Sequence, residues 1–492
     1  MRYIAQNIIS LALCLILACL QQTVHAQNVY TSSQEKILNK FADYEILGKN
    51  ELGTVIYYYG ESSHQLSILD DKLNSIAKKD IAIQSNSIED VVLLNDKILV
   101  TYVQNTYDIQ YCKGIVFGKN LNIIEYVTLD SISAKLDNKN HFYTKSSPDN
   151  SKILSFTIIK NKGNTHIRFA SYDANFKALT KNLFTVNGTD NISVRSVKIN
   201  NNGFVYGIFG QEDRWNNDDY SFDKYTVLIY NQDSKTIFES EIKDYNIAFK
   251  KLISDINLEK DILYILCAYK NQVNKEDLGF YYRIVDLRTN NILTEKYTQV
   301  TEEEVKNSQT YELKNWRDKV FTLSPKKIIP RSDGGFVFAV EGEFSYEIQD
   351  RPVTSNYYNP VFGSIPQTVR TIQKNNIGDI IIYSVANNGK VDWKNYIYKT
   401  QQSENDDAYR SSFSLFEANN VLKFIYNEDI SNSGNFVEYN VNPNGKYKRL
   451  SILNTLKEEL NLLPKKATQL DANSILIPSE NKRYLQFVKI SY

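Results

Sequence analysis

Histidine and cysteine are scarce in this 492-residue chain, which has four of each, one methionine and nine prolines. Cys14 and Cys19 fall in the first apolar run, so only Cys112 and Cys267 lie beyond it. Two cysteines do not make the disulfide framework that small secreted domains use. An oxidising compartment permits a Cys112–Cys267 bond, but their similar apolar strand contexts favour two buried thiols in different repeats. His64, His141 and His166 are each isolated, with no zinc-type spacing, which favours structural roles. Basic and acidic residues balance at 57 each, which argues against a general polyanion binder and against nucleic acid, since that affinity rests on excess Lys and Arg. There is no Gly-x-Ser-x-Gly elbow, Gly-rich phosphate loop or Cys-x-x-Cys pair. No catalytic set, metal or cofactor is therefore assigned, although carboxylates scattered over several repeats, as glycosidases use them, leave no motif.

The first residues read as an export signal. Arg2 supplies the positive start, Ile8 to Leu20 the apolar run, and Val24-His25-Ala26 the small or compact residues at a cleavage site. Residues 1–26 are thus expected to be removed, leaving residues 27–492 as one domain with one fewer basic than acidic residue. A competing reading takes Ile16-Leu17-Ala18-Cys19 as a lipobox with a lipid anchor on Cys19; the Val-His-Ala site is the better match. Beyond the leader no stretch approaches the roughly 20 apolar residues that span a bilayer. The expected location is the periplasm, the cell surface or the extracellular medium.

Apolar residues at 42%, with 35 Tyr and 23 Phe, suffice for a core and favour strands. One short apolar strand recurs, usually after Asn, Asp or Gly: Gly53–Tyr59, Asp96–Tyr102, Ser151–Phe156, Asn202–Ile208, Asp261–Leu266, Gly334–Val340, Asn420–Tyr426 and Asn473–Ile477. The intervals run from 43 residues (53 to 96) to 86 residues (334 to 420). Most sit near the roughly 40 to 50 residues of a propeller blade, with insertions lengthening others. Each copy is followed by two alternating strands joined by a turn of hairpin chemistry, such as Asp173-Ala174-Asn175, Asn231 to Ser234, Asn387-Asn388-Gly389 and Asn442-Pro443-Asn444-Gly445. A further strand precedes each, as at Val194–Ile199. Four antiparallel strands per unit predict an all-β propeller of about eight blades. A divergent first repeat would reduce the count to seven, and the 86-residue interval has room for another short strand pair. The last copy holds three strands only, so a segment near Val29 to Phe41 is expected to supply the outer strand and close the ring, unless Gln34 to Phe41 forms a short helix.

Ser147-Pro148-Asp149-Asn150-Ser151-Lys152 resembles the Ser-Pro-Asp-Gly-Lys turn of TolB-like and WD40-like propeller repeats. Asp333-Gly334-Gly335-Phe336 and Gly389-Lys390-Val391-Asp392-Trp393 are similar to blades of secreted bacterial propellers of unassigned function. The Gly-His and Trp-Asp signatures of WD40 are absent. This resemblance implies the fold and no particular activity.

Long insertions fall where second-to-third loops or interblade links open on one face: Gln211 to Lys224, Asn271 to Gly279, Glu343 to Gly378, and the link Thr301 to Thr322. They carry Trp215, Tyr220, Trp316, Tyr346, Tyr357, Tyr358 and Phe362, candidate ligand-binding aromatics, since a ring stacks while neighbouring polar groups orient. The alternative is that they pack the loops onto the blades. Trp393, on a strand, is expected to pack between blades. Asp213 to Asp223 is rich in oxygen ligands but lacks the spacing and glycine of a calcium loop, which favours a solvated loop. The preferred function is a non-enzymatic propeller binding a protein or glycan through its loop-rich face. The alternatives are a glycan-active hydrolase or lyase with carboxylates at the central channel, and an architectural subunit of an envelope assembly.

Overall fold

A strand whose two faces are both covered reads as a continuous apolar run rather than an alternating one. The recurring strand is of that kind. In the computed structural model it is the second strand of each four-stranded antiparallel group, as at Thr54–Tyr59, where every residue but the last is buried. The structure describes residues 28–36, 40–83, 88–133, 141–161, 163–187, 192–212, 222–271, 277–301, 322–350, 370–430 and 434–492. Residues 1–27, with the export signal and Cys19, lie outside them.

The described strands fall into eight four-stranded groups in chain order. The first seven, blades 1 to 7, cover 43–80, 88–133, 142–187, 192–243, 247–299, 322–397 and 414–454. In the last, blade 8, the strands Thr468–Asp471, Ser474–Asn481 and Tyr484–Ser491 are joined by Asn28–Thr31. First strands of several neighbouring blades lie against one another, as Ile88–Leu94 with Phe142–Ser146 and Ile247–Asn257 with Thr322–Pro330, and so border the axis, while fourth strands such as Ser75–Asp80 are largely exposed. The result is a β-propeller.

Each blade buries its faces against the next. Eight apolar clusters run around the ring, from Val55 and Leu66 against Val91 and Ile98 to Phe416 and Phe436 against Ile475 and Ile490. The cycle is completed where Phe41, Tyr44 and Tyr58 of blade 1 meet Leu476, Leu485 and Phe487 of blade 8. The N-terminal strand pairs Asn28 with Ser491 and Thr31 with Val488, and Ser32 Oγ accepts from the Phe487 N–H at 2.9 Å. The expected closing strand is therefore present, and Glu35 makes a bridge to Leu485; residues 37–39 of the alternative helix at Gln34 to Phe41 lie outside the described residues.

Turns explain the Asn, Asp and Gly that precede the apolar strands. Asn95, Asn150, Asp261 and Asn420 take φ of 48° to 57°, and Gly203 and Gly334 take 90° and 94°, a region those residues tolerate best. Two hairpin turns differ from expectation, because Phe176 and Lys235 occupy the positive-φ position. Side-chain bonds hold them there: Asp173 Oδ1 accepts from Asn175 and Lys177, and Asn231 Oδ1 from Asp233 and Ser234. Cys112 and Cys267 are free, buried, and in blades 2 and 5, and burial pushes the Cys112 thiol up to about 12. Among the described residues no helix is long and apolar enough to cross a membrane.

Blade 6 corrects the expected loop at Glu343 to Gly378. Its second and third strands run on as Phe336–Asp350 and Arg370–Val385, pairing from Glu343↔Ile377 to Asp350↔Arg370. Gln401–Glu404 adds a third strand to this ribbon through Ile377 to Lys374. The stretch is polar in composition, but Phe344, Tyr346 and Ile348 alternate with Ser345 and Glu347. That period of two is a strand signature. At the other expected insertions the strands reach Glu212, resume at Phe222, reach Asn271 and resume at Asp277.

Candidate functional site

Every first strand enters from the end where the second-to-third connections open, so the entry ends of the eight first strands surround one mouth. A β-bulge there inserts one extra residue and re-aims its side chain. Four first strands carry bulges holding charged residues: Glu89 in blade 2, Arg195 in blade 4, Lys250 and Lys251 in blade 5, and Lys326 in blade 6. A further register shift lies between Glu341 and Glu343 on the adjoining strand of blade 6, where Gly342 stands opposite Gly378 and Asp379.

Of these, Lys251, Lys326, Glu341 and Glu343 form a charged cluster where blades 5 and 6 meet. Lys326 Nζ lies 3.2 Å from Glu341 Oε2 and also pairs with Glu343. Lys399, from the segment after blade 6, pairs with Glu341, and Ser412 Oγ donates to Glu341 Oε2 at 2.6 Å. Lys251 Nζ is 3.6 Å from Glu343 Oε2 and donates to Ser324 Oγ at 2.6 Å. Burial alone would push the Glu343 carboxyl up; the Lys326 and Lys251 ammoniums overcome that and hold it at about 2. The Lys251 ammonium is held below its ordinary value by burial, opposed by Glu343 and reinforced by Lys326 and Lys465. Its side chain is nevertheless 50% exposed.

Lys465, in the turn Pro464–Lys466 ahead of blade 8, reaches the same region. Its backbone N–H donates to Tyr409 O at 3.3 Å and its Nζ to Asp407 O at 2.6 Å. The Tyr409 ring has Lys465 Nζ 5.3 Å and Lys466 Nζ 4.7 Å from its centroid. Burial and then Lys326 hold the Lys465 ammonium below its ordinary value.

Carboxylates gather on the side of blades 1 to 3. Burial pushes the Asp90 carboxyl up although Lys145 Nζ lies 3.6 Å away, and its Oδ2 accepts from the Thr144 N–H at 2.6 Å. Burial also raises Glu45, Lys145 opposing and Asp90 adding to the rise. Glu89 Oε2 is 3.1 Å from His141 Nδ1. His64 Nδ1 is 2.7 Å from the Tyr57 hydroxyl and His166 Nδ1 is 3.0 Å from Thr185 Oγ1. Among the described residues no group of three His, Cys, Asp or Glu could hold a metal ion.

Of the sequence-derived site residues, only Tyr346 lies among the described ones. It is half-buried on the blade 6 ribbon and stacks on Phe344 with centroids 5.4 Å apart. Trp215, Tyr220, Trp316, Tyr357, Tyr358 and Phe362 lie outside the described residues, as does 213–221 of the acidic stretch. Trp393 packs as expected: it joins the cluster between blades 6 and 7, and its Nε1 donates to Pro443 O at 2.9 Å. The mouth charges went unread in the sequence because bulges break the alternation that tells which face a residue takes. The one available signal was charged pairs, such as Glu89-Asp90 and Lys250-Lys251, interrupting apolar first strands.

Neither a family model nor a curated protein sequence matches the chain. Among solved structures it is similar to the Dos1 propeller at 8% identity, over 94% of this chain and 95% of that one, with a TM-score of 0.46. It is also similar to polysaccharide lyase Uly1 at 8% identity, over 83% and 91%, TM-score 0.37. An uncharacterized protein from Listeria monocytogenes EGD-e aligns at 9% identity, over 76% and 85%, TM-score 0.36. These likenesses carry nothing about activity; the propeller class rests on this chain's own sheets and their cyclic packing.

Proposed function

We propose that this chain is an exported, non-enzymatic binding module that takes a protein or glycan ligand on its mouth face, in the periplasm or at the cell surface. The observation that carries this reading is the blade 6 ribbon. A three-stranded extension built from Glu343–Asp350, Arg370–Ile377 and Gln401–Glu404 adds ordered surface beyond the blade at one end of the propeller. Loops and ribbons on a rigid scaffold suit recognition. Tyr346 offers an aromatic face there, and the sequence expectation for Trp215, Tyr220, Trp316, Tyr357 and Tyr358, which lie outside the described residues, is of the same kind.

The test is a glycan-array and envelope pull-down screen on the mature protein, beside a variant in which 344–376 is replaced by a short turn. Capture by the intact protein and its loss in the variant supports the reading. Equal capture by both removes the ribbon from the site.

A second reading, a glycan-active hydrolase or lyase, has one observation in its favour: Glu45 and Asp90, from adjacent first strands, are both raised from their ordinary values by burial beside Lys145, which lies 3.6 Å from Asp90. Paired carboxyls with displaced pKa values suit acid–base work. It predicts reducing-end release from some array glycan, abolished by Asp90→Asn; glycan capture without turnover excludes it.

A further inference from the structure

Ion pairs around a mouth need not balance, and an imbalance says which charge a ligand should bring. Near blades 5, 6 and 8, four ammonium groups, Lys251, Lys326, Lys399 and Lys465, gather around three carboxylates, Glu341, Glu343 and Asp407, which leaves one positive charge in excess. Lys399 and Glu341 are fully buried and hold one another. Lys326 is largely buried between Glu341 and Glu343. Those two lysines satisfy Glu341 and Glu343. Lys251 has only a longer contact to Glu343, with its head otherwise on the Ser324 hydroxyl. Lys465 has no ion-pair partner among the described residues, and its ammonium rests on a backbone carbonyl. Both are water-facing, whereas Lys326 and Lys399 are covered.

We infer that Lys251 and Lys465, backed by the buried Lys326–Glu343 and Lys399–Glu341 pairs, form an anion-binding subsite at the mouth for a group carrying at least two negative charges, such as a phosphate or sulfate or clustered carboxylates. The buried pairs fix the walls, so the exposed ammoniums need little reorganisation to bind, which limits the ordering cost. The mutual repulsion of Lys251, Lys326 and Lys465 is relieved when an anion sits among them. This deepens the binding reading of the mouth and rests on it for biological meaning, but not for the test, since small anions report on the subsite whether or not a macromolecule docks there.

The experiment is isothermal calorimetry of the mature chain at low salt with inorganic phosphate, inorganic sulfate and citrate as probes. It is run beside Lys251→Gln/Lys465→Gln and beside Lys79→Gln, which removes a charge from the exposed outer strand of blade 1. The expected result is saturable binding of at least one probe, weakened tenfold or more in the double variant, unchanged in Lys79→Gln, and retained in Lys251→Arg/Lys465→Arg. Binding of phosphate and sulfate without citrate assigns an oxyanion ester, and citrate alone assigns clustered carboxylates. No saturable binding by any probe, or binding that the double variant keeps, overturns the inference. Failure here with macromolecular capture intact leaves the mouth as a binding face and removes only its anionic specificity.

Discussion

Lys399 reaches from the segment after blade 6 to pair with Glu341 on that blade's second strand, with side-chain exposures of 1% and 0%. Two opposite charges so far from water hold each other in place, and Ser412 and Lys326 complete the shell of Glu341. Removing one partner leaves an uncompensated buried charge. Glu341→Gln is expected to destabilise the fold by about 3–5 kcal/mol, read from urea unfolding. Glu341→Leu combined with Lys399→Met should recover part of that loss. A single variant within about 0.5 kcal/mol of the parent contradicts the burial of the pair.

Ring closure depends on Asn28–Thr31 supplying the outer strand of blade 8. Without it, Tyr484–Ser491 becomes an open edge, which invites intermolecular pairing. At about 1 kcal/mol net per hydrogen bond, deletion of 28–36 should cost several kcal/mol, lower the melting temperature and raise light scattering. Unchanged melting and scattering would show that the ring does not need this strand.

Gly445 takes φ of 83° in a blade 7 turn, where an added Cβ would lie 2.8 Å from the Trp393 ring. Gly163 has a similar φ of 86° with nothing within 4 Å. Gly163→Ala should therefore cost only the left-handed strain, about 1–2 kcal/mol, and Gly445→Ala clearly more, because a rigid indole must shift between blades 6 and 7. Equal losses in the two variants would mean that the ring contact contributes nothing.

Acid should weaken the mouth. The Glu343 carboxyl is lowered from its ordinary 4.5 to about 2. The stability it contributes is therefore present above its unfolded value and lost as pH falls through about 4.5 towards 2. Glu45 and Asp90 are raised and act oppositely: what they contribute is present at acid pH and lost as pH rises through their folded values. Glu343→Gln should flatten the acid limb of a stability–pH curve measured by urea unfolding, and Asp90→Asn should raise stability near neutral pH relative to its effect in acid. An acid limb unchanged in Glu343→Gln would contradict the lysine pairing.

The propeller was legible because its second strands are covered on both faces, which forces runs such as Ile262–Leu266, and because their preceding turns demand Asn, Asp or Gly at positive φ. The closing strand followed from the missing fourth strand of the last copy. Trp393 was placed from its strand context alone. Insertion length misled at Glu343 to Gly378, where a long second-to-third connection suggested a loop and the alternation of Phe344, Tyr346 and Ile348 was the better guide. The mouth charges were hidden for a different reason: Glu89, Arg195, Lys251 and Lys326 sit at bulges, and a bulge is fixed by packing against neighbouring blades that a single strand's sequence does not contain.

The central claim, ligand recognition on the mouth face, is tested most directly by hydrogen–deuterium exchange on the complex with whichever glycan or envelope protein the screen captures. The account predicts new protection in 343–350, 370–377 and 401–412. Protection confined to the opposite-face turns at 147–152, 200–204, 387–390 and 442–446 would contradict it.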